Sequence, residues 1–210
     1  MNVLIACEES QRVCMAFRAK GHNAFSCDII EPSGGHPEWH ILGDVLKILG
    51  GGTIVTMDGT TYDIGKWDMI IAHPPCTYLS NAGARHLYRG GNGVINEERL
   101  RKGIKASHFF LQLLWADCKK IVVENPIPSS VYMLPPYSQI IEPWMFGHPF
   151  KKKTCLWIKG VKKLQPTNIC EIKESTKIAG NWYNKGGKDR QKNRAKTFSG
   201  IAAAMAEQWG

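Results

Sequence analysis

Three short segments at the start of the chain constrain its architecture most. "NVLIAC" (2–7) is an apolar run of strand length. "SQRVCMAFRAKG" follows, with apolar residues at 13, 14 and 17 and a glycine stop at Gly21. "HNAFSCDI" is a second strand that ends in the acidic Asp28. Strand, helix, strand in that order opens a parallel α/β sheet.

The rest of the chain continues the pattern. "HILGDVLKIL" is a short segment with Asp44 just after Gly43, and "DMIIA" and "KKIVVENP" are buried strands. Between the first two, "GGGTIVTMDGTTYDIGKW" is rich in Gly, Thr and Asp, with a turn signal at "MDGT"; it reads as an irregular loop or an inserted hairpin. "NEERLRKGIKASHFFLQLLWAD" reads as a helix interrupted at Gly103, "TCLWIKG" as a further strand and "TFSGIAAAMAEQW" as a closing amphipathic helix.

Several predicted strands end in chemistry-bearing residues: Glu8, Asp28, Asp44, Cys76 and Glu124. In open parallel sheets ligands bind outside the carboxyl ends of the strands. One polar loop residue means little, whereas five gathered along one sheet edge mark a candidate active site.

With 210 residues, 43% of them apolar, the chain suits one domain with a sizeable core. No apolar run approaches the roughly 20 residues of a membrane span. "MNVLIACEES" lacks the basic and long apolar regions of a signal peptide. A cytoplasmic protein is therefore expected. The cysteines number seven and form no CxxC pair, so neither a disulfide framework nor a structural zinc site is expected. Most of these thiols read as small core residues. Cys76 stands apart in "WDMIIAHPPCTYLSNAG", where two prolines stiffen the backbone immediately before it.

The formal net charge is +9, and it is uneven. Residues 151–196 hold fourteen Lys or Arg against three Asp or Glu, a net of +11, so the remainder is about −2. Such a segment fits a polyanion partner or a solvated lysine-rich surface. Trp182, Tyr183, Gly186 and Gly187 interleave with the charges, which favours contact with nucleic acid.

These residues carry a resemblance. "WDMIIAHPPCTYLSNAG" is similar to the motif of the DNA cytosine-5 methyltransferase family: an apolar strand, Pro-Pro-Cys, Ser and Ala-Gly. "KKIVVENP" resembles that family's Glu-Asn motif, "SCDI" and "LGDV" its cofactor-contacting strand ends, "FKKKTCLWIKG" a basic segment before a strand, and "FSGIAAAMAEQW" its last helix. The likeness covers most of residues 1–160 and the last 15, in a small form similar to phage or prophage members that lacks the large target-recognition domain. The chain also departs from the pattern. Thr77 stands where the family has Gln, "ACEESQRV" replaces a glycine-rich loop, and the family's Gln and two Arg fall on Lys151, Lys153 and Cys155.

The resemblance implies a Rossmann-like class I S-adenosylmethionine-dependent methyltransferase fold, a mostly parallel sheet with helices on both faces. It implies a catalytic domain of 1–160 plus 197–210, with 161–196 as a small basic DNA-contacting insertion. Cys76 would add to carbon 6 of cytosine and Glu124 would hold ring nitrogen 3, assisted by Asn125 and Lys153. Carbon 5 would then take a methyl group from S-adenosylmethionine, with no metal. The cofactor would lie against Cys7, Glu8, Ser10, Asp28, Ile29, Asp44, Val45 and Pro74. DNA, double-stranded with the base flipped out, would meet Lys151, Lys152, Lys185, Lys188, Arg190, Lys192, Arg194 and Lys196. His73 is expected to pack or to orient the backbone. Two other readings keep the fold: an enzyme for a free pyrimidine nucleotide or a single strand, and a catalytically silent DNA-binding protein. The basic segment argues against the first, and retention of both Cys76 and Glu124 argues against the second. The sequence does not set an oligomeric state.

Overall fold

The computed structural model of the chain describes residues 1–89, 93–172 and 195–210. Eleven strands are described: β1 (Asn2–Ala6), β2 (Asn23–Asp28), β3 (His40–Leu42), β4 (Thr53–Val55), β5 (Thr61–Asp63), β6 (Met69–Ala72), β7 (Tyr88–Arg89), β8 (Val94–Ile95), β9 (Lys120–Pro126), β10 (Gln139–Ile141) and β11 (Thr154–Lys159). The α-helices among the described residues are α1 (Arg12–Ala19), α2 (Asn81–Ala84), α3 (Glu97–Leu114) and α4 (Ser199–Trp209).

Seven strands form one sheet in the order β3-β2-β1-β6-β9-β11-β10. Renumbered along the chain, that is 3-2-1-4-5-7-6. The last strand, β11, runs antiparallel to both of its neighbours, while the pairs among β3, β2, β1, β6 and β9 are parallel. The inserted antiparallel strand separates this sheet from the 3-2-1-4-5-6 order of dinucleotide-binding domains. It is the Rossmann-like class I methyltransferase arrangement that the resemblance implies.

Strand alternation sends side chains to two cores. Val3, Ile5, Ile71, Val122 and Leu156 face α1 and α4, where they meet Val13, Phe17, Ile201 and Met205. Leu4, Ala6, Ile70, Val123 and Trp157 face the other way, towards Phe110 and Leu113 of α3. Helices therefore cover both faces. Between β3 and β6 a β4–β5 hairpin takes the place of a crossover helix and buries Ile54, Ile64 and Trp67 in the second core. Its turn is the predicted "MDGT": Gly59 has φ 86 and donates to the Thr56 carbonyl.

Helix α3 runs through Gly103 without interruption, which corrects the sequence reading. The glycine answers a close approach. A Cβ there would lie 2.1 Å from the Tyr132 hydroxyl and 2.2 Å from its ring. Tertiary contact, not helix termination, sets that residue. Among the described residues, no helix is long and apolar enough to cross a membrane. Leu164, within the predicted 161–196 insertion, is fully buried in the core against α4. Trp182, Tyr183, Gly186, Gly187, Lys185, Lys188, Arg190, Lys192 and Arg194 lie outside the described residues.

Candidate active site

Parallel register builds the site. Ala6 pairs with both Cys27 and Ala72, and Ala72 pairs with Val123. One step further along, Cys7, Asp28, His73 and Glu124 therefore leave four adjacent strands at the same level. The predicted polar edge exists, with His73 added to it.

The β1–α1 loop carries no glycine, yet it needs glycine-like backbone at two places. Cys7 and Gln11 both have φ 58, in the left-handed region. Such a conformation costs an ordinary L-residue about 1–2 kcal/mol. Side chains hold it in place. Both Glu8 carboxylate oxygens accept from α1 amides, Oε1 from Val13 N at 2.7 Å and Oε2 from Cys14 N at 3.1 Å. Gln11 Nε2 donates to the His36 carbonyl and to Ser26 Oγ, while its Oε1 accepts from His36 N. Gly34 permits this docking, since a Cβ there would lie 2.6 Å from Gln11 Cβ. Ser10 is buried within the loop.

At the ends of β2 and β3 the edge is open. Ile29 is 77% exposed beside Asp28, and Asp44 is exposed while its carboxylate caps Leu46 N at 3.0 Å. Gly43 N donates to the Asp28 carbonyl and ties the two ends together, and Val45 is buried beneath. Burial raises the Asp28 carboxyl above its ordinary range, against the pull of the Ile30 and Ile29 amides. Burial, then Asp28 and Asp44, drive the Cys7 thiol far up, so it is neutral. Paired carboxylates beside an exposed aliphatic side chain fit the diol and base of a nucleoside. Glu8 already fills the α1 amides where a phosphate would bind. Burial raises the Glu8 carboxyl, against the pull of His73 and of the Val13 and Cys14 amides, and its oxygens occupy the place a phosphate would take. The residues present thus fit S-adenosylmethionine.

The other half of the edge is the Pro-Pro-Cys loop. His73 N donates to the Ala6 carbonyl, and Asn125 Nδ2 donates to the Pro74 carbonyl at 2.9 Å. Pro74 is buried, Pro75 exposed and Cys76 half-buried. Beyond the cysteine, Ser80 N donates to the Cys76 carbonyl, and Ser129 N and Asn81 N donate across to Leu79 and Ile127 carbonyls. Arg99, on α3, adds a clamp: its Nη2 donates to the Thr77 and Gly83 carbonyls, and its guanidinium lies 5.0 Å from the Tyr78 ring centroid. Gly83 admits this fold because a Cβ would lie 2.1 Å from the Thr77 carbonyl oxygen. Next to Cys76, Pro75 and Tyr78 line a shallow cleft of about 290 Å³ with Lys102, Lys105 and Phe109.

Glu124 meets His73. His73 Nδ1 and Glu124 Oε2 are 2.8 Å apart, with side chains only 9% and 14% exposed. Burial pushes the carboxyl up, but the His73 hydrogen bond, the His73 charge and then Lys152 more than offset it, and Glu124 sits below its ordinary range. Burial pushes the imidazole down, but the Glu124 bond and charge, aided by Glu8, outweigh burial and Lys152, and His73 sits above its own. Each partner thus shifts towards the form that favours the charge of the other. His73 Nε2 and Asn125 Oδ1 are buried with no hydrogen-bond partner.

Lys152, next to the predicted Lys153, contributes positive charge at this pair. Lys152 is half-buried with its ammonium 5.8 Å from the Phe198 ring centroid; Lys153 and Lys151 are exposed. Phe198 also lines a cleft of about 750 Å³ with Arg12, His148 and Phe150. Cys155 is buried and pushed up to about 11 by burial and then by Glu124, so it is a neutral core thiol. Lys196 is half-buried at the start of the closing segment. No group of three or more His, Cys, Asp or Glu among the described residues is placed to hold a metal ion.

Sequence reading missed His73 as a partner of Glu124, because a separation of 51 residues is closed only by register. It missed Arg99 as well; the signal was a basic residue in the first turn of a helix that follows the cysteine loop.

Fold and edge together define a class I methyltransferase scaffold carrying a Pro-Pro-Cys loop opposite a Glu-Asn strand end. Among solved structures the chain is similar to a prophage-encoded E. coli protein described as a DNA modification methyltransferase, at 13% identity over 81% of this chain and 52% of that one, TM-score 0.45. It is also similar to the Entamoeba histolytica methyltransferase EhMeth, at 13% identity over 81% of this chain and 57% of that one, TM-score 0.49. The chain spans little more than half the length of either. No protein-family model matches it, and no curated protein matches it.

Proposed function

We propose that this chain methylates carbon 5 of cytosine in DNA, using S-adenosylmethionine and a transient bond between Cys76 and carbon 6. One observation carries the reading most: the Asn125–Pro74 hydrogen bond ties the Cys76 loop to β9, the strand that carries Glu124. A nucleophile and a carboxyl group on neighbouring strand ends are what addition to a pyrimidine needs.

Cytosine is a weak nucleophile at carbon 5. Addition of the Cys76 thiolate at carbon 6 moves electron density onto carbon 5 and ring nitrogen 3. Glu124 holds nitrogen 3, and Asn125 keeps the loop in place. Lys152 supplies positive charge beside Glu124. When bound, S-adenosylmethionine supplies an electrophilic methyl group; Asp28, Ile29 and Asp44 would hold its nucleoside, and the Glu8–Glu9 loop would face its cationic part. Loss of the proton from carbon 5 and departure of Cys76 restore the aromatic ring. Lys102 and Lys105 in the cleft with Pro75 and Tyr78, Lys151, and the basic segment beyond residue 172 suit a phosphate-bearing polymer.

The test is incubation with 5-fluorocytosine duplex DNA and S-adenosylmethionine. The fluorine blocks the last step and leaves the protein bonded to DNA through Cys76. Wild type should form the adduct only with cofactor present, and Cys76→Ser should form none. Absence of both the adduct and 5-methylcytosine in ordinary DNA would overturn the proposal.

A further inference from the structure

Glu124 faces a chemical conflict in the reaction proposed above. Holding ring nitrogen 3 during thiolate addition calls for a proton on the carboxyl. The folded protein holds that carboxyl below its ordinary range, as a carboxylate. The nearest group able to supply that proton is His73, whose Nδ1 lies 2.8 Å from Glu124 Oε2.

We propose that His73 is the proton reserve of Glu124, a positioning residue that lends its Nδ1 proton through the carboxyl to nitrogen 3 of the bound pyrimidine and recovers it when the ring is released. This rests on the cytosine reading and goes beyond it. The balance is simple. The thiolate pair forms the sulfur–carbon 6 bond, and the carbon 5–carbon 6 π pair is displaced towards nitrogen 3. Nitrogen 3 gains one proton, His73 loses one, and Glu124 ends as it began. In the reverse direction nitrogen 3 returns the proton as sulfur leaves.

The surroundings of His73 suit a proton that must move. Its side chain is 9% exposed, so bulk water does not replace the donor freely. Nδ1 has the one acceptor, Glu124, while Nε2 is buried with no partner. A second acceptor on Nε2 would pin the charge on the ring; without it, the Nδ1 proton is held by one bond alone, and the neutral ring keeps its Nε2–H. The charges facing the imidazole come from three elements. Glu124 at the end of β9 and Glu8 after β1 favour the cation, and Lys152 before β11 opposes it.

Two measurements decide the matter. Addition at carbon 6 makes the carbon 5 hydrogen of cytosine exchangeable with solvent, so exchange on random-sequence duplex DNA reads the addition without methyl transfer. Wild type should exchange at pH 7.5. His73→Gln, and His73→Asn as a second variant, should bind the duplex equally but exchange about 100-fold more slowly at that pH, the size of a lost general-acid contribution. Both should recover towards wild type near pH 5, where Glu124 acquires its own proton. In parallel, nitrogen NMR of the His73 ring should find an imidazolium at pH 7.5 in wild type that is lost in Glu124→Gln. A flat pH dependence of the His73→Gln to wild-type ratio, or a neutral His73 in wild type, overturns the inference while leaving wild-type exchange and the cytosine reading intact. No exchange by wild type at any pH overturns both.

Discussion

Asn125 donates from Nδ2 to the carbonyl of Pro74 at 2.9 Å, so the strand that carries Glu124 also holds the loop that presents the thiol. Proline leaves the backbone of this loop few donors of its own. Asn125→Ala should therefore displace Cys76 without unfolding the sheet. Adduct formation with 5-fluorocytosine DNA should fall about 100-fold, the order lost when a reacting group is misplaced by an ångström. Asn125→Asp, which cannot donate, should fare no better.

Arg99 clamps the far side of the same loop through two carbonyls and the Tyr78 ring. Arg99→Lys keeps the charge and loses the fork. Alkylation of Cys76 by iodoacetamide, followed by mass spectrometry of its peptide, should quicken in Arg99→Lys and more so in Arg99→Ala. Stability should drop by only about 1–2 kcal/mol, the scale of one or two net hydrogen bonds.

Gly103→Ala should destabilise the protein although alanine is the better helix former by about 1 kcal/mol. The new methyl group meets the Tyr132 ring, and overpacking of this kind costs about 1–3 kcal/mol. Urea unfolding of Gly103→Ala and of Gly103→Ala with Tyr132→Ala tests the cause. The second change should recover part of the loss made by the first.

The His73–Glu124 pair gives stability a defined pH window. His73 is raised in the folded state, so its contribution is full below its ordinary value of 6.5 and fades as pH climbs through the folded value. Glu124 is lowered, so its contribution is full above its ordinary value of 4.5 and fades as pH falls through the folded value. The stability gap between wild type and Glu124→Gln should be widest between those two values and narrow on both sides. Denaturant titrations at pH 3, 5.5 and 9 read it directly.

Asp28 and Ile29 carry the proposed nucleoside contacts. Asp28→Ala should weaken S-adenosylmethionine binding by about 10-fold or more, since a hydrogen bond to a charged group is worth about 1.5–3 kcal/mol. The heat-shift produced by saturating S-adenosylmethionine should shrink accordingly. Inorganic phosphate should produce none at this edge.

The strand ends were legible because their strands are continuous apolar runs, and register does the rest. "NVLIAC", "DMIIA" and "KKIVVENP" needed no tertiary information to be recognised, and they deliver Glu8, Cys76 and Glu124 to one edge. Strand β10 was not legible. It has three residues, Gln139–Ile141, set among prolines and aromatics, and it forms because β11 offers an edge to pair with. Gly103 was misread because a helix penalty is visible in a sequence and the ring of Tyr132 is not. The inward turn of Lys152, towards Glu124 and Phe198, was not legible either. The role of His73 was hidden for a different reason: it depends on a residue 51 positions away.

Glu8 has a consequence for competition at this edge. Helix α1 begins with amides that would welcome any passing anion, and the protein has seated a guest of its own there. That guest is tethered by the chain, so an anion from solution would have to displace it first. The doorway is occupied before any ligand arrives, and selection at this edge falls to Asp28 and Asp44.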